Sequence, residues 1–217
     1  MPEASEKEKR MKFRGADCFF GEDGFFTVLM TKLFDVCLLS ILWLVTSIPV
    51  FTIGPATQAL YCVAFKIREG RDGYIIKDYM KAFRSGFLQS MATGLVMLGS
   101  GLFLILDIYW AYFAGTSFIR SLIPVFILLL IIWAGVLMYI FAVQAMFVGS
   151  VRETFLRAAA LALAYKGRTF LMLVTSMVLI GLIYLAPVLL IVNIALIPMV
   201  NAGILLQIFA PYINREE

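Results

Sequence analysis

Three ionisable side chains lie in or beside long apolar stretches of this 217-residue sequence, where a charge is costly to bury. They are Lys32, Asp35 and Asp107. A charged group at membrane depth can relay protons, hold an ion or face a solute, so each is a candidate ligand or partner contact. Lys32 and Asp35 stand three residues apart, on one face of a helix, which predicts a local ion pair near the membrane surface.

Asp107 is followed closely by Tyr109 and Trp110, and such aromatic residues are typical of the membrane–water interface. We expect Asp107 near the outer end of a helix, with Arg120 across a short connection as its ion-pair partner. The alternative is an outward-facing ligand site formed by Asp107, Tyr109 and Arg120.

Little in the sequence points to catalysis. It contains no histidine, the commonest general base and metal ligand. It also lacks a phosphate-binding loop, a nucleophile elbow and a dinucleotide-binding fingerprint. We therefore expect no enzyme activity, no cofactor and no metal. An intramembrane enzyme would need a pair of aspartates, but Asp35 and Asp107 are predicted to lie toward opposite membrane faces.

The distribution of charge indicates which elements position these residues. The 18 basic and 14 acidic side chains leave four windows without any charge, at residues 36–65, 85–106, 121–151 and 169–214. Each is longer than the roughly 20 residues that a helical membrane span needs. With 62% hydrophobic and 15% charged residues, the chain is predicted to be an all-α, multi-pass membrane protein that contacts the lipid bilayer and no nucleic acid.

Hydropathy alone gives five spans, but the basic residues favour six. Five Lys or Arg lie in the N-terminal tail and six in residues 66–84, and a single span between them would leave one cluster outside. Pro49 and the Gly54-Pro55 pair predict a bend from which the chain returns through the membrane. We therefore expect a six-span bundle of three hairpins, with five spans as the alternative. The six spans are residues 26–48, 50–67, 86–110, 121–148, 169–191 and 194–213.

The six-span layout defines one folded domain. Residues 1–25 form a polar cytoplasmic segment, residues 26–213 a single transmembrane domain and residues 214–217 a cytoplasmic tail. Sixteen basic residues then face inside, and the outer loops carry only Arg120. Both termini are predicted to be cytoplasmic.

Two polar segments, residues 74–84 and 151–165, have apolar residues at three-to-four spacing opposite a basic face, as in amphipathic helices. We expect both on the cytoplasmic side. They either anchor the bundle to anionic lipid or dock against a partner. The basic residues of these faces are Lys77, Lys81, Arg84, Arg152 and Arg157.

Uncharged amides within the apolar windows are expected to bridge neighbouring helices. They are Gln58, Gln144, Asn193, Asn201 and Gln207. Asn193, between Pro187 and Pro198, is also predicted to mark the last outer turn.

The bend carries a family resemblance. Residues 42–61, L-W-L-V-T-S-I-P-V-F-T-I-G-P-A-T-Q-A-L-Y, followed by the Gly73-Tyr74 loop and residues 82–87, resemble the YesL family of small bacterial membrane proteins. The resemblance implies residence in the bacterial cytoplasmic membrane and association, through gene context, with carbohydrate ABC importers. It brings no catalytic residues. The defining turn is Thr52, Ile53, Gly54 and Pro55, for which we expect a structural role.

These observations lead to two functional hypotheses. The first is a non-enzymatic accessory subunit that stabilises or regulates a carbohydrate ABC importer by contacting its membrane subunits. The alternative is a substrate-binding membrane component of a small-solute importer. Either is compatible with a homo-oligomer.

Overall fold

The computed structural model describes residues 25–71, 73–113, 117–147, 149–185 and 189–213. Every regular element among these residues is helical, which confirms the all-α fold class. The predicted N-terminal segment, apart from Phe25, and the predicted C-terminal tail lie outside the described residues. The α-helices are α1 (Phe25–Thr46), α2 (Ile53–Arg68), α3 (Ile75–Arg84), α4 (Phe87–Phe113), α5 (Ser117–Ser121), α6 (Ile123–Met146), α7 (Val151–Ala164), α8 (Lys166–Leu185) and α9 (Leu189–Ile213). A 3-10 turn, Val50–Thr52, precedes α2.

Local chemistry explains several helix boundaries. Ser150 caps α7: the Glu153 backbone N–H donates to its hydroxyl at 3.3 Å, and the Ser150 N–H donates to the Glu153 carboxylate at 3.2 Å. This capping box satisfies two N–H groups that a helix start leaves unpaired. Gly86 separates α3 from α4 with a φ of +72°, a conformation that favours glycine.

Within the described residues, four helical segments are long and apolar enough to cross a membrane. They are Val50–Arg68, Phe87–Phe113, Ile119–Met146 and Val192–Phe209. A fifth is added if α7 and the first part of α8, which meet at 96°, form one bent span. The protein is thus a multi-pass membrane protein with four to five candidate spans. Helices occupy all six predicted span positions, but the count of six crossings stays a prediction.

The chain divides after Leu38 into two units. The first contains the start of α1, and the second contains the remaining described helices. In the second unit, Tyr61, Phe65, Tyr139, Leu205 and Phe209 belong to one buried core contributed by α2, α6 and α9. The best-buried candidate span is the one ending at Arg68, with 56% of its window buried, whereas α4 has 22%. α2 is therefore a central helix, and α4 presents most of its surface outward.

Asn193 does not mark a turn, because it lies one turn inside α9. Its amide nitrogen donates to the Leu179 carbonyl of α8 at 3.0 Å. Asn201 makes a similar link, with its amide nitrogen 3.2 Å from the Ser176 hydroxyl. The turn prediction was wrong, while the expectation that these amides bridge helices is confirmed.

Candidate functional site

The predicted bend is a tight turn closed by Thr52. The buried Thr52 hydroxyl lies 2.6 Å from the Thr46 carbonyl oxygen and 2.5 Å from that of Pro49. The Thr52 backbone N–H also donates to the Pro49 carbonyl at 2.9 Å. The bond to Thr46 satisfies a carbonyl that α1 leaves unpaired at its end, and the two bonds to Pro49 close the turn. Thr52 therefore stabilises the turn.

Directly after the turn, α2 crosses α4 at two glycines. A Cβ on Gly54 would overlap the Ser90 carbonyl oxygen, and a Cβ on Gly94 would lie 2.8 Å from the Gly54 Cα. Small residues let helix backbones approach this closely in membrane proteins. Gly54 of the defining turn is therefore required by helix packing.

A chain of polar side chains joins α2, α4 and α6 beside this crossing. The Ser90 hydroxyl donates to Gln58 Oε1. Gln58 Nε2 donates to the Gln144 carbonyl at 3.2 Å, and Gln144 Nε2 donates to the Thr93 hydroxyl at 3.3 Å. Within the described part of the chain, the buried Gln144 Oε1 has no hydrogen-bond partner. The prediction that Gln58 and Gln144 bridge helices is confirmed.

The amphipathic helix α3 packs its apolar face against its own chain. Tyr79 is fully buried, with its hydroxyl 2.7 Å from Thr46 Oγ1 and 3.3 Å from the Ala56 carbonyl oxygen. Lys66 of α2 forms a 2.9 Å ion pair with Asp78. The opposite face remains exposed and carries Lys77, Lys81 and Arg84. The basic face is thus held outward by contacts on the other side of the helix.

Burial also changes the chemistry of Tyr79. Removal from solvent raises the pKa of its hydroxyl to about 12, and the hydrogen bond with Thr46 lowers it by a smaller amount. The hydroxyl therefore stays protonated and able to donate at every physiological pH.

The contact between Tyr79 and Thr46 bears on the membrane layout. Six spans would place Thr46 near the outer face and α3 inside, separated by a hydrocarbon core of about 30 Å. The two hydroxyls are 2.7 Å apart, so the turn and α3 lie at the same depth. This contact argues against placing the turn and α3 on opposite membrane faces, while Val50–Arg68 remains a candidate span by length and composition.

α7 has the same two-sided character. Thr154 and Ala158 are buried, whereas Arg152 and Arg157 are exposed. The Arg157 guanidinium lies over the Phe147 ring, 5.8 Å from its centroid. Both predicted amphipathic helices are present, and their cytoplasmic location stays a prediction.

The residues proposed as an outward ligand site lie near the end of α4 and in α5. Asp107 is half-buried, six residues before the end of α4, and Tyr109 and Arg120 are exposed. The Arg120 guanidinium donates to the Tyr112 carbonyl at 3.3 Å. No Asp107–Arg120 ion pair forms between these described side chains, because α4 continues about 9 Å past Asp107 before the connection begins.

Lys32 and Asp35 both lie on α1, in the first unit of the chain. Lys32 is exposed and Asp35 is half-buried. Their ion pair stays a prediction. Across the described residues, no group of three or more His, Cys, Asp or Glu side chains could hold a metal ion.

A cavity of about 300 Å³ lies among α2, α4, α6, α9 and the end of α1. The Trp133 indole N–H donates to the Ser100 hydroxyl at 3.0 Å, and the Trp43 N–H donates to the Thr57 hydroxyl at 3.2 Å. A Cβ on Gly101 would lie 2.5 Å from the Trp133 ring. The ring has room at this position because residue 101 has no side chain. The cavity lining includes Trp43, Tyr61, Met97, Trp133, Phe141 and Pro198. With both indole N–H groups bonded within the protein, the cavity presents an apolar wall.

Sequence reasoning missed this cavity. Trp43 and Trp133 are visible within charge-free windows, but their convergence depends on how the helices cross. The cavity is lined by residues other than Asp107, Tyr109 and Arg120.

Two comparisons relate this architecture to known proteins. The profile of a protein family of unknown function, DUF624, matches residues 36–108, which contain the turn, the glycine crossing and α3. The uncharacterised protein YesL of Bacillus subtilis strain 168 is 28% identical over 138 residues, or 62% of this chain. Both matches support the resemblance of this chain to the YesL family. The match spans 65% of the Bacillus YesL sequence, slightly less than two thirds. No solved structure matches this chain.

Proposed function

We propose that this protein is a non-enzymatic accessory subunit that binds a bacterial carbohydrate ABC importer and stabilises or regulates it. The choice of importer rests on the gene context that the family resemblance implies. The observation that carries the proposal is the exposed basic face of α3, held outward by the buried Tyr79.

The surroundings of α3 favour a protein partner over lipid anchoring. An amphipathic helix that anchors to lipid turns its apolar face toward the bilayer, whereas the buried Tyr79 of α3 packs against α2. The exposed side combines Lys77, Lys81 and Arg84 with the aromatic ring of Tyr74, which is 83% exposed. Tyrosine and arginine, though not lysine, are enriched in protein interfaces. The matching partner surface is acidic and partly apolar.

The membrane layout forms part of this proposal. The positive-inside rule places α3 on the cytoplasmic side of the bacterial cytoplasmic membrane. Six spans put both termini inside, whereas five spans leave the N-terminus outside and keep α2 with α3 inside. The Tyr79–Thr46 contact supports the five-span version.

Regulation requires unequal contact with two importer states, because a partner shifts only an equilibrium whose states it binds differently. A rigid basic face suits this task. α3 is held by the Lys66–Asp78 ion pair and by Tyr79, so it presents its charges in one arrangement.

Site-specific photocrosslinking tests the proposal. A photoreactive amino acid replaces exposed Lys81 on α3 or, as the matched control, Met177 on α8, which is 75% exposed. We expect crosslinks to an importer membrane subunit from position 81 and none from position 177. Equal crosslinking from both positions, or none from position 81 in cells that express the importer, would contradict docking through α3.

The apolar cavity favours a second candidate function, a solute-binding membrane component of a small-molecule importer. Its volume of about 300 Å³ is at the lower end of ordinary ligand pockets. This function predicts that an apolar solute raises the melting temperature of the wild-type protein and not that of Trp133→Ala. The absence of any shift across a library of apolar and polar solutes would rule it out.

A further inference from the structure

A second groove of about 320 Å³ opens among α6, α7 and α8, away from α3. Among the described residues that line it, the walls are apolar apart from the Thr169 hydroxyl, and Lys166 supplies the one charged side chain. Leu163 and Phe170, which are 58% and 69% exposed, form the outer part of its wall. Representative lining residues are Ile132, Val136, Ala159, Leu163, Lys166 and Phe170.

Hydrogen bonds at the junction of α7 and α8 fix the shape of this groove. The two helices meet at 96° around Tyr165. The buried Thr169 hydroxyl lies 3.1 Å from the Ala162 carbonyl and 3.0 Å from the Tyr165 carbonyl, and the Tyr139 hydroxyl is 3.0 Å from Thr169 Oγ1. Gly135 faces the Thr169 methyl group, where even a Cβ would lie at 3.2 Å. The groove is therefore built into the helix junction.

Lys166 gives the groove a positive charge where α7 meets α8. Lys166 is exposed at the first position of α8, and Arg168 lies two residues further, with its guanidinium 5.8 Å from the Tyr165 ring centroid. The acidic residue of α7, Glu153, is about 16 Å along the helix from its end. It is also engaged in the Ser150 cap. Within the described part of the chain, no carboxylate lines the groove to neutralise Lys166.

The apolar walls of the groove match the acyl chains of a phospholipid, and the ammonium group of Lys166 matches an anionic headgroup. We propose that this groove binds an acyl chain of one anionic phospholipid whose phosphate pairs with Lys166. Basic pockets between transmembrane helices on the cytoplasmic side bind anionic lipid headgroups in the same way. The lysine stem can lie along the apolar wall while its ammonium reaches the headgroup level.

Native mass spectrometry of delipidated protein tests this site. Phosphatidylglycerol, which is anionic, or zwitterionic phosphatidylcholine of the same chain length is added back, and bound lipid is counted. We expect the wild-type protein to retain one phosphatidylglycerol in preference to phosphatidylcholine. Lys166→Gln should weaken phosphatidylglycerol binding about fivefold, the contribution of one basic residue near a membrane surface.

Two further variants separate the parts of the site. Ala159→Leu fills the apolar channel and should reduce the retention of both lipids. Lys77→Glu, on the exposed face of α3, is the control and should bind as the wild-type protein does. If Ala159→Leu folds poorly, the wild-type protein and Lys166→Gln are compared instead by how far phosphatidylglycerol raises their melting temperatures. Equal retention of the two lipids by the wild-type protein, or undiminished phosphatidylglycerol binding by Lys166→Gln, would overturn the proposal.

Discussion

Gly54 and Gly94 set the distance between α2 and α4, because a Cβ at either position would meet the backbone of the other helix. We expect Gly94→Ala to destabilise the protein by about 1–3 kcal/mol, the usual cost of overpacking. A methyl group on Gly99, further along the same helix, would point into open space, with no neighbouring element within 4 Å. Gly99→Ala should therefore leave stability unchanged or raise it slightly, since alanine favours helix.

Thermal unfolding in one detergent measures this difference between the two alanine variants. A lower melting temperature for Gly94→Ala alone supports close packing at the crossing. Equal melting temperatures would show that the helices accommodate the methyl group, and the crossing would then lose its structural importance.

The raised pKa of Tyr79 predicts a dependence of stability on alkaline pH. The folded state holds the phenolic proton more tightly than the unfolded chain, whose tyrosine pKa is about 10. This stabilisation is complete below pH 10 and is lost as the pH rises toward 12. Tyr79→Phe should be less stable at pH 8 because the hydrogen bonds are missing, and it should lose less stability between pH 10 and 12.

Tyr74→Phe provides the matched control, because Tyr74 is 83% exposed and lies at the start of the same helix. Its stability should follow the wild-type pH dependence throughout. If Tyr79→Phe and Tyr74→Phe lose stability in parallel above pH 10, ionisation of Tyr79 is not linked to folding.

At the scale of elements, charge and periodicity predicted where helices occur. The predicted amphipathic segment 151–165 is observed as Val151–Ala164, and the predicted span 86–110 as Phe87–Phe113. Such boundaries are readable because charges, glycines and capping residues stand beside the apolar runs. The family resemblance also pointed to Thr52 and Gly54 as part of a defining turn.

Partners of each helix face were less predictable. Periodicity shows that α3 has an apolar side but does not show that Tyr79 packs on α2 instead of on lipid. The missing Asp107–Arg120 pair and the internal position of Asn193 follow from helices that extend further than the charge pattern indicated. The cavity beside Trp133 depends on crossings between helices distant in sequence.

The five-span layout makes a direct prediction for the turn. Single cysteines are introduced at Ile48, which is 78% exposed, and at exposed Lys81, after the native cysteines have been replaced by serine. Because Tyr79 contacts Thr46, both positions should react with a membrane-impermeant maleimide from the same side. Labelling from opposite sides, compared in spheroplasts and inverted vesicles, would favour six spans.

At the scale of the whole molecule, two surfaces are proposed for two kinds of partner. We propose that the basic face of α3 binds an importer subunit and that the groove at Lys166 binds lipid. Both surfaces are basic, but they lie on different helices and have different surroundings. The basic side chains of α3 are exposed, whereas Lys166 borders an apolar groove. Charge reversal at one surface should therefore leave the other function intact.

Copurification of importer membrane subunits in mild detergent tests the central claim most directly. The combined variant Lys77→Glu, Lys81→Glu and Arg84→Glu is compared with the wild-type protein and with Lys166→Glu, each checked for a normal elution profile. We predict that the wild-type protein and Lys166→Glu retain the importer. The triple variant should lose it by about tenfold or more, because like charges then oppose an acidic partner. Undiminished copurification with a folded triple variant would contradict docking through α3.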